Sequence, residues 1–269
     1  MNIGIIGGGA MGEAIVAAMT RGGVAEAARI AVADIATARL AYLEKTYGVR
    51  QAGSNPDAAR GADYLILAVK PQDFEKAASD MRAALPPGAV VLSIMAGITL
   101  GQLTDLFGHD AIVRAMPNTP AQIGEGMTVW TATAGVSTAG REGARRIFGA
   151  LGKEAFVPEE RYLDMATGLS GSGPGFVFLF IEALIDAGVL IGLGRDLATT
   201  MALQTVLGSA RYAQETGRHV AELRGMVTSP GGTTAEGLRA LEAGGLRAAV
   251  TEAVVAAYAK SRAMGEAPR

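Results

Sequence analysis

The chain of 269 residues contains no cysteine. That excludes disulfides, thiolate catalysis and Cys-ligated zinc or iron–sulfur centres. Histidine is almost as scarce. His109 and His219 are the whole complement, they lie far apart, and neither belongs to an H-E-x-x-H or similar spacing, so no metal is expected. Formal net charge is −2 with no block of like charges. Nucleic-acid binding therefore lacks its electrostatic footprint. The apolar N-terminus has no basic n-region, and glycines 7–9 interrupt it, which fits a buried strand and turn better than a signal peptide. The most membrane-like stretch, residues 175–194, carries Glu182 and Asp186 at i,i+4. Two carboxylates at the centre of a bilayer are costly, so this stretch reads as a core helix of a soluble protein. The cytoplasm follows by default.

Glycine, in contrast, is abundant: 37 residues, roughly 14%, about twice the usual ~7%. No Gly-X-Y period exists, which excludes collagen, and the excess sits in short clusters that suggest loops approaching ligands. Hydrophobic residues make up 49% and charged residues 19%, ample for a buried core and too apolar for disorder. The length allows one large domain or two modest ones.

Strands and helices alternate through the first part. Apolar runs at 2–6, 29–33, 63–69, 89–94 and 111–115 read as strands, and 154–157 as a last one. Residues 10–20, 37–47, 71–84 and 138–151 read as helices, and 127–133 alternates openly, like an edge. Continuous apolar runs are expected of parallel strands buried on both faces. The pattern predicts an α/β fold, a Rossmann-type doubly wound sheet with right-handed crossovers. After Pro158 only helix-period segments occur, at 162–168, 174–191, 196–215, 220–226, 235–243 and 246–264. The division is therefore a sheet domain over 1–158 and an all-α domain over 159–269. These helices are apolar and Ala-rich for so small a bundle, which predicts burial against a second copy, a homodimer.

Gly7-Gly8-Gly9-Ala10-Met11-Gly12 fits G-x-G-x-x-G. It follows a strand and opens a helix, the context that gives the pattern meaning. Gly7 permits the tight turn, Gly9 lets the backbone approach a pyrophosphate, and Gly12 allows close helix–strand packing. The pyrophosphate would sit on the helix N-terminus. Asp34 ends the second strand, 22 residues after Gly12. That is near the ~20-residue spacing of an acid that hydrogen-bonds the ribose 2′-hydroxyl. A carboxylate there would repel a 2′-phosphate, and the nearest following arginine is Arg39, so NADH is expected to be preferred over NADPH. The other reading of Asp34 is an N-cap of the next helix.

Ala68-Val69-Lys70-Pro71 follows the 63–69 strand at the carboxyl edge of the sheet, where open α/β sheets bind ligands. Lys70 reads equally as a cofactor contact or as a solvated lysine before a proline-started helix. Arg114-Ala115-Met116-Pro117-Asn118-Thr119-Pro120 is an ordered loop at the same edge whose composition alone gives no chemistry. Gly168-Leu169-Ser170-Gly171-Ser172-Gly173-Pro174 fails the nucleophile-elbow pattern, because G-x-S-x-G needs glycine where Ser172 stands. It reads as a helix start capped by Ser172 or Gly173. Ser229-Pro230-Gly231-Gly232-Thr233-Thr234 separates two helices. Thr233 and Glu236 form a capping-box pattern, and the same helix N-terminus suits a carboxylate. Glu182, Asp186 and the two histidines read as structural groups.

Taken together, these segments resemble the pyrroline-5-carboxylate reductases through nearly the whole chain. The combination of 169–174 with 229–234 is highly specific. The resemblance implies an NAD(P)H-dependent oxidoreductase of proline biosynthesis acting on the CH-NH group. Hydride would pass from a reduced nicotinamide to the C=N carbon of 1-pyrroline-5-carboxylate, giving L-proline. It also implies that the 229–234 loop binds the substrate, with Ser229 and Gly231 among its contacts and the carboxylate held by the backbone amides of Gly232, Thr233 and Thr234. Thr234 would lie near the ring nitrogen as hydrogen-bond partner and proton relay, and Glu160 close to the substrate. Cofactor contacts carry over to Gly7, Gly8, Gly9, Ala10, Met11, Gly12, Asn55, Ala68, Val69, Lys70 and Pro71, with Ala96 beside the nicotinamide. Members form dimers through interlocked C-terminal helices, and some dimers assemble into decamers. Two departures stand out: Asp34 where many members have a small polar residue or a nearby arginine, and Val220 where proline is frequent. The β-hydroxyacid dehydrogenases share the architecture but need a lysine early in the interdomain helix, and residues 175–181 have none. A nucleotide-binding sensor would keep the Gly-rich turn without needing 229–234.

Overall fold

The computed structural model describes residues 1–74 and 81–266. Among them, eight strands form one sheet: β1 Ile3–Ile6, β2 Ile30–Ala33, β3 Arg50–Gln51, β4 Tyr64–Leu67, β5 Val90–Ser93, β6 Ile112–Met116, β7 Gly126–Ala132 and β8 Gly152–Phe156. The order is β3-β2-β1-β4-β5-β6-β7-β8. All pairs are parallel except β6 with β7. Helices α1 Ala10–Arg21, α2 Thr37–Tyr47, α3 Asn55–Ala59, α4 Leu100–Phe107, α5 Thr138–Ala150 and α6 Arg161–Ala166 accompany the sheet.

Every residue of β1, β2, β4 and β5 is buried. The strand alternation sorts them onto two faces. Ile3, Ile5, Val32 and Ile66 join Ile15 and Met19 of α1 and Phe148 of α5 in one apolar cluster. Ile6, Leu65, Leu67 and Val91 join Leu103 and Phe107 of α4 in the other. Helices on both faces are why these strands read as unbroken apolar runs.

Several expectations change. Residues 127–133 are not an edge: β7 lies between β6 and β8. Its open alternation comes from Thr128 and Thr131, which are polar yet buried. The short pieces β3 and α3 and the helix α4 carried too little periodicity to be read. Helix α4 starts with a capping box, Thr99 with Gln102. Of the helix expected over 71–84, Pro71–Asp73 is a 3₁₀ turn, and 75–80 lie outside the described residues. The segment 168–174, expected as a capped helix start, instead begins inside a π-helical turn, Thr167–Gly171, that continues α6 toward the next helix.

By packing, the chain forms two compact units. One is Met1–Ser172 with the chain from Ala256 onward, and the other is Gly173–Val255. A division by element type at 158/159 differs from this one. The last helix, α11 Leu246–Glu266, returns its end to the sheet unit, where Ser261 Oγ donates to Asp164 Oδ1 at 2.7 Å. The second unit holds α7 Gly173–Leu190, α8 Arg195–Thr216, α9 Val220–Met226, α10 Thr233–Ala243 and the start of α11. Gly188 of α7 lets Ala198 of α8 approach closely: a Cβ there would stand 3.0 Å from that of Ala198.

The reading of 175–194 as a core helix does not hold in the single chain. Val177, Phe178, Leu179 and Phe180 are exposed. Over Arg161–Leu190 the helix is long and apolar enough to cross a membrane by length and composition, and none of that apolar window is buried. So few helices cannot enclose one of their own number.

One contact in the sheet unit is unusually intolerant. Tyr64 of β4 reaches under α5 and donates its hydroxyl to the Gly140 carbonyl at 2.9 Å. A Cβ at Gly143 would overlap that hydroxyl. Gly143→Ala is expected to cost about 1–3 kcal/mol. Adding Tyr64→Phe, which removes the clashing oxygen, should recover part of the loss in a thermal-denaturation double-mutant cycle. Additive losses would contradict this packing.

Candidate active site

The carboxyl ends of β1, β2, β4 and β5 meet where the strand order reverses, between β1 and β4, the place where open α/β sheets bind ligands. Gly7 has φ +101°, and a Cβ on it would press against the Ala68 carbonyl at 2.6 Å. A Cβ on Gly12 would overlap the Gly7 carbonyl oxygen. Glycine is therefore required at both positions for β1 to turn directly into α1. Gly9 differs: a Cβ there would meet nothing within 4 Å. It caps α1 without a side-chain bond and is exposed with Ala10, while Met11 is half-buried. Among the described residues, the start of α1 thus has neither a capping side chain nor an atom crowding Gly9. That is the cradle a pyrophosphate needs, and the residues present fit a dinucleotide.

The other expected cofactor segments follow the carboxyl ends of β3, β4 and β5. Ala68 and Val69 are half-buried beside Gly7, Lys70 is exposed and Pro71 opens a 3₁₀ turn. Asn55 starts α3 just after the Ser54 cap. Ala96 is half-buried in the loop after β5. The neighbouring Gly97 packs against Met264 of α11 at 3.0 Å from an added Cβ. Asp34 is not the cap of α2, which is Ala36. Its carboxylate accepts from the Gly8 amide at 2.6 Å and the Ala36 amide at 2.8 Å. Both bonds fix the carboxylate at the end of β2, on the Gly-rich turn itself.

Glu160 sits in a network that sequence reasoning missed. Arg114 of β6 is 4% exposed. Its guanidinium lies 2.6 Å from Glu160 Oε1 and 3.9 Å from Asp164 Oδ1. Glu160 Oε1 also accepts from the Leu100 amide at 2.7 Å. Glu160 thereby ties the start of α6 to the start of α4, and Asp164 reaches α11 through Ser261. The available signal was one charged residue inside the apolar run 111–115. Nearby, Asn118 accepts from the Met127 amide at 2.9 Å and donates to the Ser170 carbonyl at 3.0 Å. Ser170 lies in the π turn, whose altered pairing frees carbonyls for such partners.

In the second unit, Gly231 has φ +67° and the Gly232 amide donates to the Ser229 carbonyl at 3.0 Å. A Cβ on Gly232 would overlap Ser229 Oγ. The expected capping box does not form. Gly232 is the N-cap of α10 with no side-chain bond, Thr233 is the first helical residue, and Glu236 pairs with Arg239 at 3.0 Å. Thr233 is exposed and Thr234 half-buried. A helix N-terminus capped only by glycine keeps its first amides accessible to an anion.

His109 Nε2 lies 2.6 Å from the Ala89 carbonyl, and His219 caps α9 through Nδ1 to the Ala221 amide at 3.2 Å. Asp186 pairs with Arg195 at 3.1 Å. These groups have local structural partners. Among the described residues, no group of three or more His, Asp or Glu is arranged to hold a metal.

Arg114→Met would leave Glu160 and Asp164 facing each other without their cation. It is expected to lower stability by about 3 kcal/mol. Glu160→Gln keeps an acceptor for the Leu100 amide and should cost clearly less. Urea denaturation of both variants checks the order, and equal losses would contradict a network centred on Arg114.

Comparison with known proteins bears directly on this site. Residues 160–264 match a family model described as pyrroline-5-carboxylate reductase dimerisation. Residues 2–97 match one described as NADP oxidoreductase, coenzyme F420-dependent. The chain is 46% identical to a pyrroline-5-carboxylate reductase of Synechocystis, over 99% of each protein. The solved pyrroline-5-carboxylate reductase of Coxiella burnetii superposes with a TM-score of 0.91 at 35% identity, over 99% of both chains. The Plasmodium falciparum pyrroline carboxylate reductase, solved with NADP bound, superposes with a TM-score of 0.90 at 32% identity, over 99% of this chain and 98% of that one. A nucleotide cradle on a Rossmann-like sheet, followed by helices that match a dimerisation model, places this chain in the pyrroline-5-carboxylate reductase family.

Proposed function

We propose that this NAD(P)H-dependent pyrroline-5-carboxylate reductase of proline biosynthesis takes its hydride preferentially from NADH. The observation that carries the preference is Asp34, held on the Gly8 and Ala36 amides at the end of β2. A carboxylate fixed there accepts a hydrogen bond from a ribose 2′-hydroxyl and repels a 2′-phosphate. The bound nicotinamide supplies the hydride for the C=N carbon of 1-pyrroline-5-carboxylate.

In this reading, Gly7, Gly8, Gly9, Ala10, Met11 and Gly12 carry the pyrophosphate on the α1 amides. Ala68, Val69, Lys70, Pro71 and Asn55 line the same sheet edge, and Ala96 faces the nicotinamide. Ser229, Gly231, Gly232 and Thr233 take the substrate carboxylate on the uncapped N-terminus of α10. Thr234 hydrogen-bonds the ring nitrogen and relays its proton. A protonated imine is already electrophilic, so these residues act mainly by positioning the two reactants. Glu160 acts at one remove, through Leu100 and Arg114.

The exposed apolar residues of α7 support a homodimer in which a second copy covers them. Glu182 and Asp186 on that helix favour this over insertion in a bilayer, and a cytoplasmic dimer is the consistent assignment.

Cofactor oxidation followed by absorbance with 1-pyrroline-5-carboxylate, in parallel with NADH and NADPH, tests the preference. NADH is expected to give the higher kcat/KM. Asp34→Ser should move the ratio toward NADPH by about tenfold or more, because a like charge beside the phosphate is removed. A wild-type preference for NADPH would reduce Asp34 to a brace of the turn. Separately, Thr234→Ala should lower turnover by about a hundredfold while nucleotide binding, read by fluorescence titration, stays intact. Unchanged turnover would remove Thr234 from the substrate site.

A further inference from the structure

Beside the Gly-rich turn lies a cluster that the roles above leave unused. Glu13, in the first turn of α1, forms an ion pair with the Arg39 guanidinium of α2. Its Oε1 accepts from the Tyr47 hydroxyl at 2.8 Å and the Tyr42 hydroxyl at 3.1 Å. Arg39 Nε donates to the Gly8 carbonyl at 2.5 Å, and its guanidinium carbon stands 5.0 Å from the centre of the Tyr42 ring. The guanidinium is thus held by a carboxylate, a carbonyl and an aromatic face. Burial pushes the Glu13 carboxyl up, but the hydrogen bonds from Arg39, Tyr47 and Tyr42 outweigh it and hold the group below the usual value. Burial and the Glu13 carboxylate push the Tyr47 hydroxyl up to about 12. At neutral pH the carboxylate is therefore charged and Tyr47 remains a donor.

Gly8 joins this cluster to Asp34. Its amide donates to Asp34 and its carbonyl accepts from Arg39. A 2′-phosphate placed at Asp34 would therefore come close to a guanidinium already committed to another anion. We propose that Glu13 is a specificity-determining residue, one that holds Arg39 in a closed ion pair and so withholds from a 2′-phosphate the cation that would neutralise it. This rests on the reading that the ribose lies at Asp34. The two carboxylates act differently. Asp34 repels the phosphate directly, whereas Glu13 keeps its counter-charge occupied.

The test compares adenosine 2′,5′-bisphosphate with 5′-AMP, which differ only in the 2′-phosphate, by calorimetric titration. Wild type, Glu13→Gln and Glu13→Gln with Arg39→Ala are measured. Glutamine still accepts from both tyrosines but offers Arg39 no charge. Glu13→Ala is the second variant should glutamine perturb the fold. Release of the guanidinium should tighten the bisphosphate relative to 5′-AMP by about tenfold, the scale of one charge-assisted bond to phosphate. Arg39→Ala should abolish that gain. The ratio matters because losing a negative charge near the α1 N-terminus favours any nucleotide. An unchanged ratio, or parallel weakening of both ligands, overturns the proposal. The Asp34 reading fails separately, if Asp34→Ser leaves the ratio alone while Glu13→Gln still shifts it.

Discussion

The absence of side-chain volume at the β1–α1 turn governs the rest of the sheet unit. Gly7 and Gly12 press on carbonyl oxygens that a methyl group would displace, so α1 starts as soon as β1 ends. That places the α1 N-terminus at the reversal of strand order, where its dipole faces the gap between β1 and β4. The same close turn turns the Gly8 peptide outward on both sides, its amide to Asp34 and its carbonyl to Arg39. A single residue, Gly8, thereby anchors both Asp34 and Arg39 through its two backbone groups. The NADH preference proposed above would then rest on one backbone constraint.

Arg114 imposes a second constraint of a different kind. A guanidinium that is 4% exposed must be neutralised where it stands, and the desolvation cost makes its partners obligatory. Glu160 and Asp164 both lie on or beside α6, so the charge locks that helix to the carboxyl edge of β6. Through Leu100 and Ser261 the lock extends to α4 and α11. The arrangement keeps the segment entering the π turn in register with the sheet. A buried charge is a poor source of stability, yet it has few acceptable geometries.

What the sequence revealed follows from these constraints. The central strands were legible because burial on both faces leaves continuous apolar runs. The Gly-rich turn was legible because glycine is demanded at fixed spacing. The position of β7 was not: its buried Thr128 and Thr131 are polar residues, one on each face of the strand, and they read as exposure. Nor was the role of Arg114, whose partners Glu160 and Asp164 lie far along the chain. The Thr233–Glu236 pattern misled because the preceding glycine took the cap position, leaving the threonine inside the first turn. Local patterns report local bonds faithfully only when no neighbour offers the backbone a better partner.

The second unit shows the same limit at a larger scale. Its longest apolar helix has the composition of a buried element, yet α7 leaves phenylalanine and leucine side chains at the surface of one chain. Composition encodes the environment of the final assembly, so a helix covered by a second copy and one covered by its own domain look alike in sequence. In the proposed homodimer, the carboxylates favour protein over lipid as the cover. Asp186 meets Arg195 at an exposed edge of the helix, where a subunit interface leaves charges access to water and a bilayer core does not. In that homodimer the apolar residues would set how much surface association removes from water, and the charged ones where that surface ends.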